Sequence, residues 1–102
     1  MFRKLYWVTE HVDADGHSCV AGVYTSIPDL VRHGLKHPSQ SQLRLSLTKL
    51  DHEGLPLGTW SSPDFSGLEA DLAPYVKTDE FTADQCAALL AAVRQPAHSA
   101  AA

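Results

Sequence analysis

The chain has 102 residues, enough for one domain and too few for two halves that each bury a core. Eight Lys/Arg against twelve Asp/Glu give a formal charge of −4, which argues against wholesale wrapping of nucleic acid. No run approaches the roughly 18 apolar residues of a membrane helix, and the start, MFRKLYWV, has no apolar stretch behind its basic residues, so neither a span nor a secretory leader is expected. Cys19 and Cys86 are too few for a disulfide scaffold and read as buried, reduced thiols of a cytoplasmic protein.

Residues 3–12 are dense in aromatic and β-branched side chains and predict a strand. Asp15-Gly16 then predicts a two-residue hairpin turn, with a return strand over residues 19–25. Ser26, Pro28 and Asp29 mark a helix start, because a serine caps the first turn, proline fits it and an acid complements it. Ile27, Leu30, Val31 and Leu35 give that helix one apolar face, Gly34 weakens it and His37-Pro38 ends it. Leu43, Leu45 and Leu47 alternate with Arg44, Ser46 and Thr48, as on a strand with one buried face. Glu53-Gly54 predicts the next turn, and residues 55–62 return as a strand that Pro56 confines to a sheet edge. A short helix over residues 66–72 is expected to stop at Pro74. Thr82 with Gln85 forms a capping box for a last helix, with Phe81 placed to staple onto Cys86 and with Leu89, Leu90 and Val93 at helical spacing before Pro96.

The expected architecture is α+β: one domain over residues 1–95, a small antiparallel sheet of two hairpins in the order ββα-ββα plus a C-terminal helix, helices on one face, and a flexible tail over 96–102. A weak internal repeat supports the two-unit reading. VDADG (12–16) and GVYTS (22–26) align with LDHEG (50–54) and GTWSS (58–62), with four identities in ten positions. Two-residue turns would set Trp7 opposite Tyr24 and Leu47 opposite Trp60, and would gather Leu5, Trp7, Val20, Tyr24, Leu43, Leu45, Leu47 and Trp60 on the helix-covered face.

The other face of the first hairpin is then unusually apolar. Tyr6, Val8, Val12, Cys19, Ala21 and Val23 fall there, where the second hairpin offers Arg44, Ser46 and Thr48. Contiguous exposed apolar area marks interfaces, so the favoured function is a non-catalytic module that self-associates or binds another protein through those six residues. No cofactor is implied.

Two alternatives use other residues. His11, Asp13, Asp15 and His17 offer four ligand types within seven positions, as a metal-dependent hydrolase could use. His33 and His37 also have the spacing of two ligands on one helix face, without further ligand motifs nearby. The segment from Leu30 to Leu50 lacks acids, and Arg32, Lys36, Arg44 and Lys49 could give weak nucleic-acid contact. Gly16-His17-Ser18 lacks the second glycine of a nucleophile elbow, the Asp13–Gly16 stretch lacks the last glutamate of a calcium loop, and Cys19 beside His17 sits among valines and not in the electropositive setting of a reactive thiol.

Overall fold

A computed structural model describes residues 5–36, 41–49 and 56–94. Four strands, β1 (Leu5–Val12), β2 (Ser18–Tyr24), β3 (Gln42–Lys49) and β4 (Gly58–Ser61), form one antiparallel sheet in the order β2-β1-β3-β4. Between the hairpins lies α1 (Ile27–Asp29), which continues as a π-wound turn over Leu30–Gly34; α2 (Leu68–Lys77) and α3 (Ala83–Val93) follow β4. The fold is therefore α+β with the element order that the turn and cap signals predict. The turn at Glu53-Gly54, His37-Pro38 and the tail lie outside the described residues.

The core is built on the odd-numbered side of β1 and β3. Trp7, Leu43, Leu45, Leu47 and Trp60 meet Ile27, Leu30, Leu68, Leu72 and Leu89 from the helices, all nearly solvent-free. Trp7 lies 6.1 Å from Trp60 and 5.7 Å from Phe81, so aromatic rings from both hairpins and the entrance of α3 share one cluster. Thr9 is the polar member of this face, and its hydroxyl donates to the carbonyl of Gly22 at 3.5 Å.

The helix starts follow their caps. Asp29 N–H donates to Ser26 Oγ, and the Thr82–Gln85 box is closed in both directions. The helix over α2 does not stop at Pro74 as expected but runs through it to Lys77. A proline removes one ladder donor and crowds the preceding turn. Here Leu68 and Leu72 anchor the first two turns in the core, and Thr78 closes the last by donating from N and Oγ1 to the Pro74 carbonyl. Tertiary anchoring outweighs the local break.

The first turn also differs from expectation. Gly16 N–H donates to the Asp13 carbonyl, Asp13 N–H donates to the His17 carbonyl, and Gly16 has φ +83°. That is a three-residue loop ending in a left-handed glycine, not a two-residue turn. It pairs Val12 with Ser18, His11 with Cys19 and Glu10 with Val20; a bulge between Thr9 and Glu10 then leaves Ala21 without a partner and restores Trp7 opposite Tyr24. The second hairpin is likewise offset: Leu45, not Leu47, faces Trp60, and Leu47 faces Gly58.

With that register the two hairpins match. Extending the repeat alignment along the strands sets Trp7 on Leu45 and Tyr24 on Trp60, and the observed pairs are Trp7 with Tyr24 and Leu45 with Trp60. It equally carries Thr9 with Gly22 onto Leu47 with Gly58. The shared Gly-x-aromatic pattern has a steric reason. A Cβ on Gly22 would come within 2.7 Å of the Tyr24 side chain, and one on Gly58 within 2.5 Å of the Trp60 ring. Each ring folds back over its own strand, and only a glycine leaves room beneath it.

Candidate interaction surface

The face of the sheet opposite the core carries Tyr6, Val8, Glu10 and Val12 from β1, Val20 and Val23 from β2, Arg44, Ser46 and Thr48 from β3, and Thr59 from β4. Among the described residues no helix packs on it, and Tyr6, Val8, Val12, Val20 and Val23 are absent from the set packed against the core. Val20 is 62% and Val23 57% exposed; Tyr6, Val8 and Val12 are half-buried.

Four of the six residues expected on this face, Tyr6, Val8, Val12 and Val23, share it. The bulge changes the other two. Cys19 faces His11 on the core-side row, Ala21 is the bulged residue, and Val20, expected under the helices, takes a place on the open face instead. Cys19 and Ala21 are exposed even so, which corrects the expectation of a buried Cys19 thiol. Cys86 is buried as expected, and loss of hydration pushes its thiol above the usual 9.0.

Four polar residues of the face are paired with one another. Arg44 Nε and Nη2 donate to Glu10 Oε1 and Oε2, both at 3.2 Å, in a two-pronged ion pair at the centre of the sheet. Ser46, opposite Val8 on one side and Thr59 on the other, shares a 3.3 Å hydrogen bond with the Thr59 hydroxyl. Glu10 and Arg44 are the charged residues among the open-face strand positions, so the face is electrically neutral on a chain of charge −4.

The metal candidates are partly assembled. Ligand atoms of Asp13, Asp15 and His17 lie within 4.8 Å of one another at the exposed hairpin tip. His11 does not join them, since its Nε2–H donates to the Lys36 carbonyl at 3.2 Å beside the helical side of the sheet. Asp13 Oδ1 is already taken by the N–H groups of Asp15 and His17, which makes this carboxylate the tie of the turn. Two cavities lined by described residues, of about 400 and about 390 Å³, involve α2, α3 and Trp60 and none of these four residues. His33 is exposed; His37 lies outside the described residues.

The four cations are not brought onto one surface. Arg44 is on the open face and bound to Glu10, and Lys49 belongs to the opposite row of β3. Arg32 lies 3.8 Å from Asp29 on the helical side, where Lys36 is exposed. Sequence reasoning missed Val20 and the Glu10–Arg44 pair. The first depends on a bulge that an Ala-Gly step can accommodate, and the second on a β1–β3 register fixed only by the fold. Comparison with protein-family models, with curated proteins and with solved structures finds no match for this chain, so its chemistry is read from its own geometry.

Proposed function

We propose that the protein is a non-catalytic, self-associating module whose contact surface is the hairpin β1–β2. The observation that carries this reading is the exposure of Val20 and Val23 at 62% and 57%, beside Tyr6, Val8 and Val12, on a face no described helix covers. Removing such area from water is worth about 25 cal/mol per Å², and contiguous apolar surface of this kind marks contact sites. The charge pattern favours a second copy as the occupant. Two chains of −4 repel at most approaches, yet the open face holds one Glu10–Arg44 pair and no unbalanced charge, so this is a face on which two copies meet without net like-charge repulsion.

Sedimentation velocity tests this. The wild-type chain is expected to dimerise with a dissociation constant at or below about 100 μM, or about −5.5 kcal/mol. A V20S/V23S variant, whose changes are at exposed positions, is expected to sediment as a monomer at the same concentrations. A wild-type monomer up to about 1 mM would overturn the reading.

A further inference from the structure

The sheet has two edges, and they are built differently. β4 is four residues long and lies between Pro56 and Pro63, so little of it can accept another strand. β2 is seven residues, SCVAGVY, with no proline and no charge, and Ser18, Cys19, Val20, Ala21 and Val23 are exposed. Strand edges present unpaired N–H and C=O groups, and proteins commonly guard them with lysine, proline, short length or a bulge. β2 has only the bulge at Ala21, and that bulge turns Val20 onto the same face as Val23.

We infer that the second copy adds through this edge, β2 pairing antiparallel with the partner's β2, to give one continuous eight-stranded sheet. The inference rests on the self-association reading and specifies its geometry. Antiparallel pairing of a strand with itself is two-fold symmetric by construction, which closes the assembly at two chains while the guarded β4 edges stay outside. An uncharged strand meets no like charge in its copy. The two-fold axis is normal to the sheet, so the open faces merge on one side and the Val20 and Val23 side chains of both copies flank one another across the junction. The chain already contains one contact of this type, since β1 and β3 join two hairpins of matching register antiparallel at the centre of the sheet.

Amide exchange followed by mass spectrometry on the wild-type chain, at concentrations below and above dimerisation, separates edge pairing from stacking of the open faces. Edge pairing is expected to slow exchange of a subset of the amides over residues 18–24 by about tenfold or more in the dimer, because those N–H groups gain strand partners. Thr59→Lys, exposed on the open face at the far edge of the sheet, is expected to remain dimeric, whereas Val23→Lys is expected to be monomeric. Unchanged exchange of β2 in a sample that sediments as a dimer overturns edge pairing whatever the variants do, and leaves self-association standing; loss of the dimer in Thr59→Lys points to stacked faces and overturns it equally. A wild-type monomer removes both.

Discussion

Gly58→Ala is expected to destabilise the protein, against the usual direction for a glycine in a strand. Replacing such a glycine normally narrows the unfolded ensemble and gains about 0.4–1 kcal/mol. Here the new methyl would stand 2.5 Å from Cη2 and Cζ2 of Trp60, where carbon atoms in contact prefer about 3.5–4 Å. The ring must move by about 1 Å, and it is poorly placed to do so. Trp60 is 4% exposed, lies 6.1 Å from Trp7, and is tethered by a 2.9 Å hydrogen bond from Nε1–H to Asp71 Oδ2. Overpacking of this kind costs about 2–3 kcal/mol, so the net loss is about 1–2.6 kcal/mol after the entropic gain. For a domain of this size that lowers the melting temperature by about 10 °C. Urea unfolding followed by tryptophan fluorescence and far-UV dichroism measures it. Combining Gly58→Ala with Trp60→Val should remove most of the additional cost, because the ring that collides is gone. A Gly58→Ala protein as stable as wild type, or more so, would refute the reasoning.

The ion pair on the open face should show a coupling of about 0.5–1 kcal/mol in a Glu10→Ala/Arg44→Ala double-mutant cycle, reduced by salt; a coupling of zero would make it a geometric coincidence. Thr82→Ala removes the capping box of α3 and should cost about 1 kcal/mol in chemical unfolding, with Thr82→Ser restoring most of it. Gly16→Ala should cost about 1 kcal/mol for a different reason from Gly58, since nothing stands near its Cβ and only the left-handed φ of +83° opposes the change. The two thiols should differ in alkylation rate, exposed Cys19 reacting first and Cys86 only as the fold opens. Because burial raises the Cys86 pKa in the folded chain, the unfolded chain releases that proton first, so this group's contribution to stability should be intact below about pH 9 and decline as pH rises beyond it. Thermal melts from pH 8 to 10 of wild type against Cys86→Ala would show the difference.

Much of the fold was legible in local chemistry. Ser26, Thr82 and Gln85 announced helix starts that the structure realises bond for bond, and the alternation around Leu43, Leu45 and Leu47 gave the buried row of β3. What escaped was the difference of one residue. Asp15-Gly16 suits a two-residue turn and a three-residue loop equally well, because both need a left-handed glycine, and the loop that forms shifts the pairs next to the turn. The bulge at Ala21 then corrects the shift further along, so Trp7 met Tyr24 as expected while Val20 and Cys19 exchanged faces. The persistence of α2 beyond Pro74 was illegible for another reason, since it depends on what Leu68 and Leu72 touch. On the candidate surface, apolar excess in the first hairpin could be read directly, whereas the neutralising Glu10–Arg44 clasp needed the β1–β3 register.

Trp7 belongs to the first hairpin and Trp60 to the second, and their rings sit 6.1 Å apart with planes inclined at 43°. At that separation the two indole transitions are expected to couple, adding to the far-ultraviolet dichroism a couplet that neither ring gives alone. Because Trp60 reaches Trp7 only when β4 is paired to β3 and β3 to β1, such a signal would report the docking of the formed second hairpin onto the first and serve as an optical reporter of the protein's own assembly.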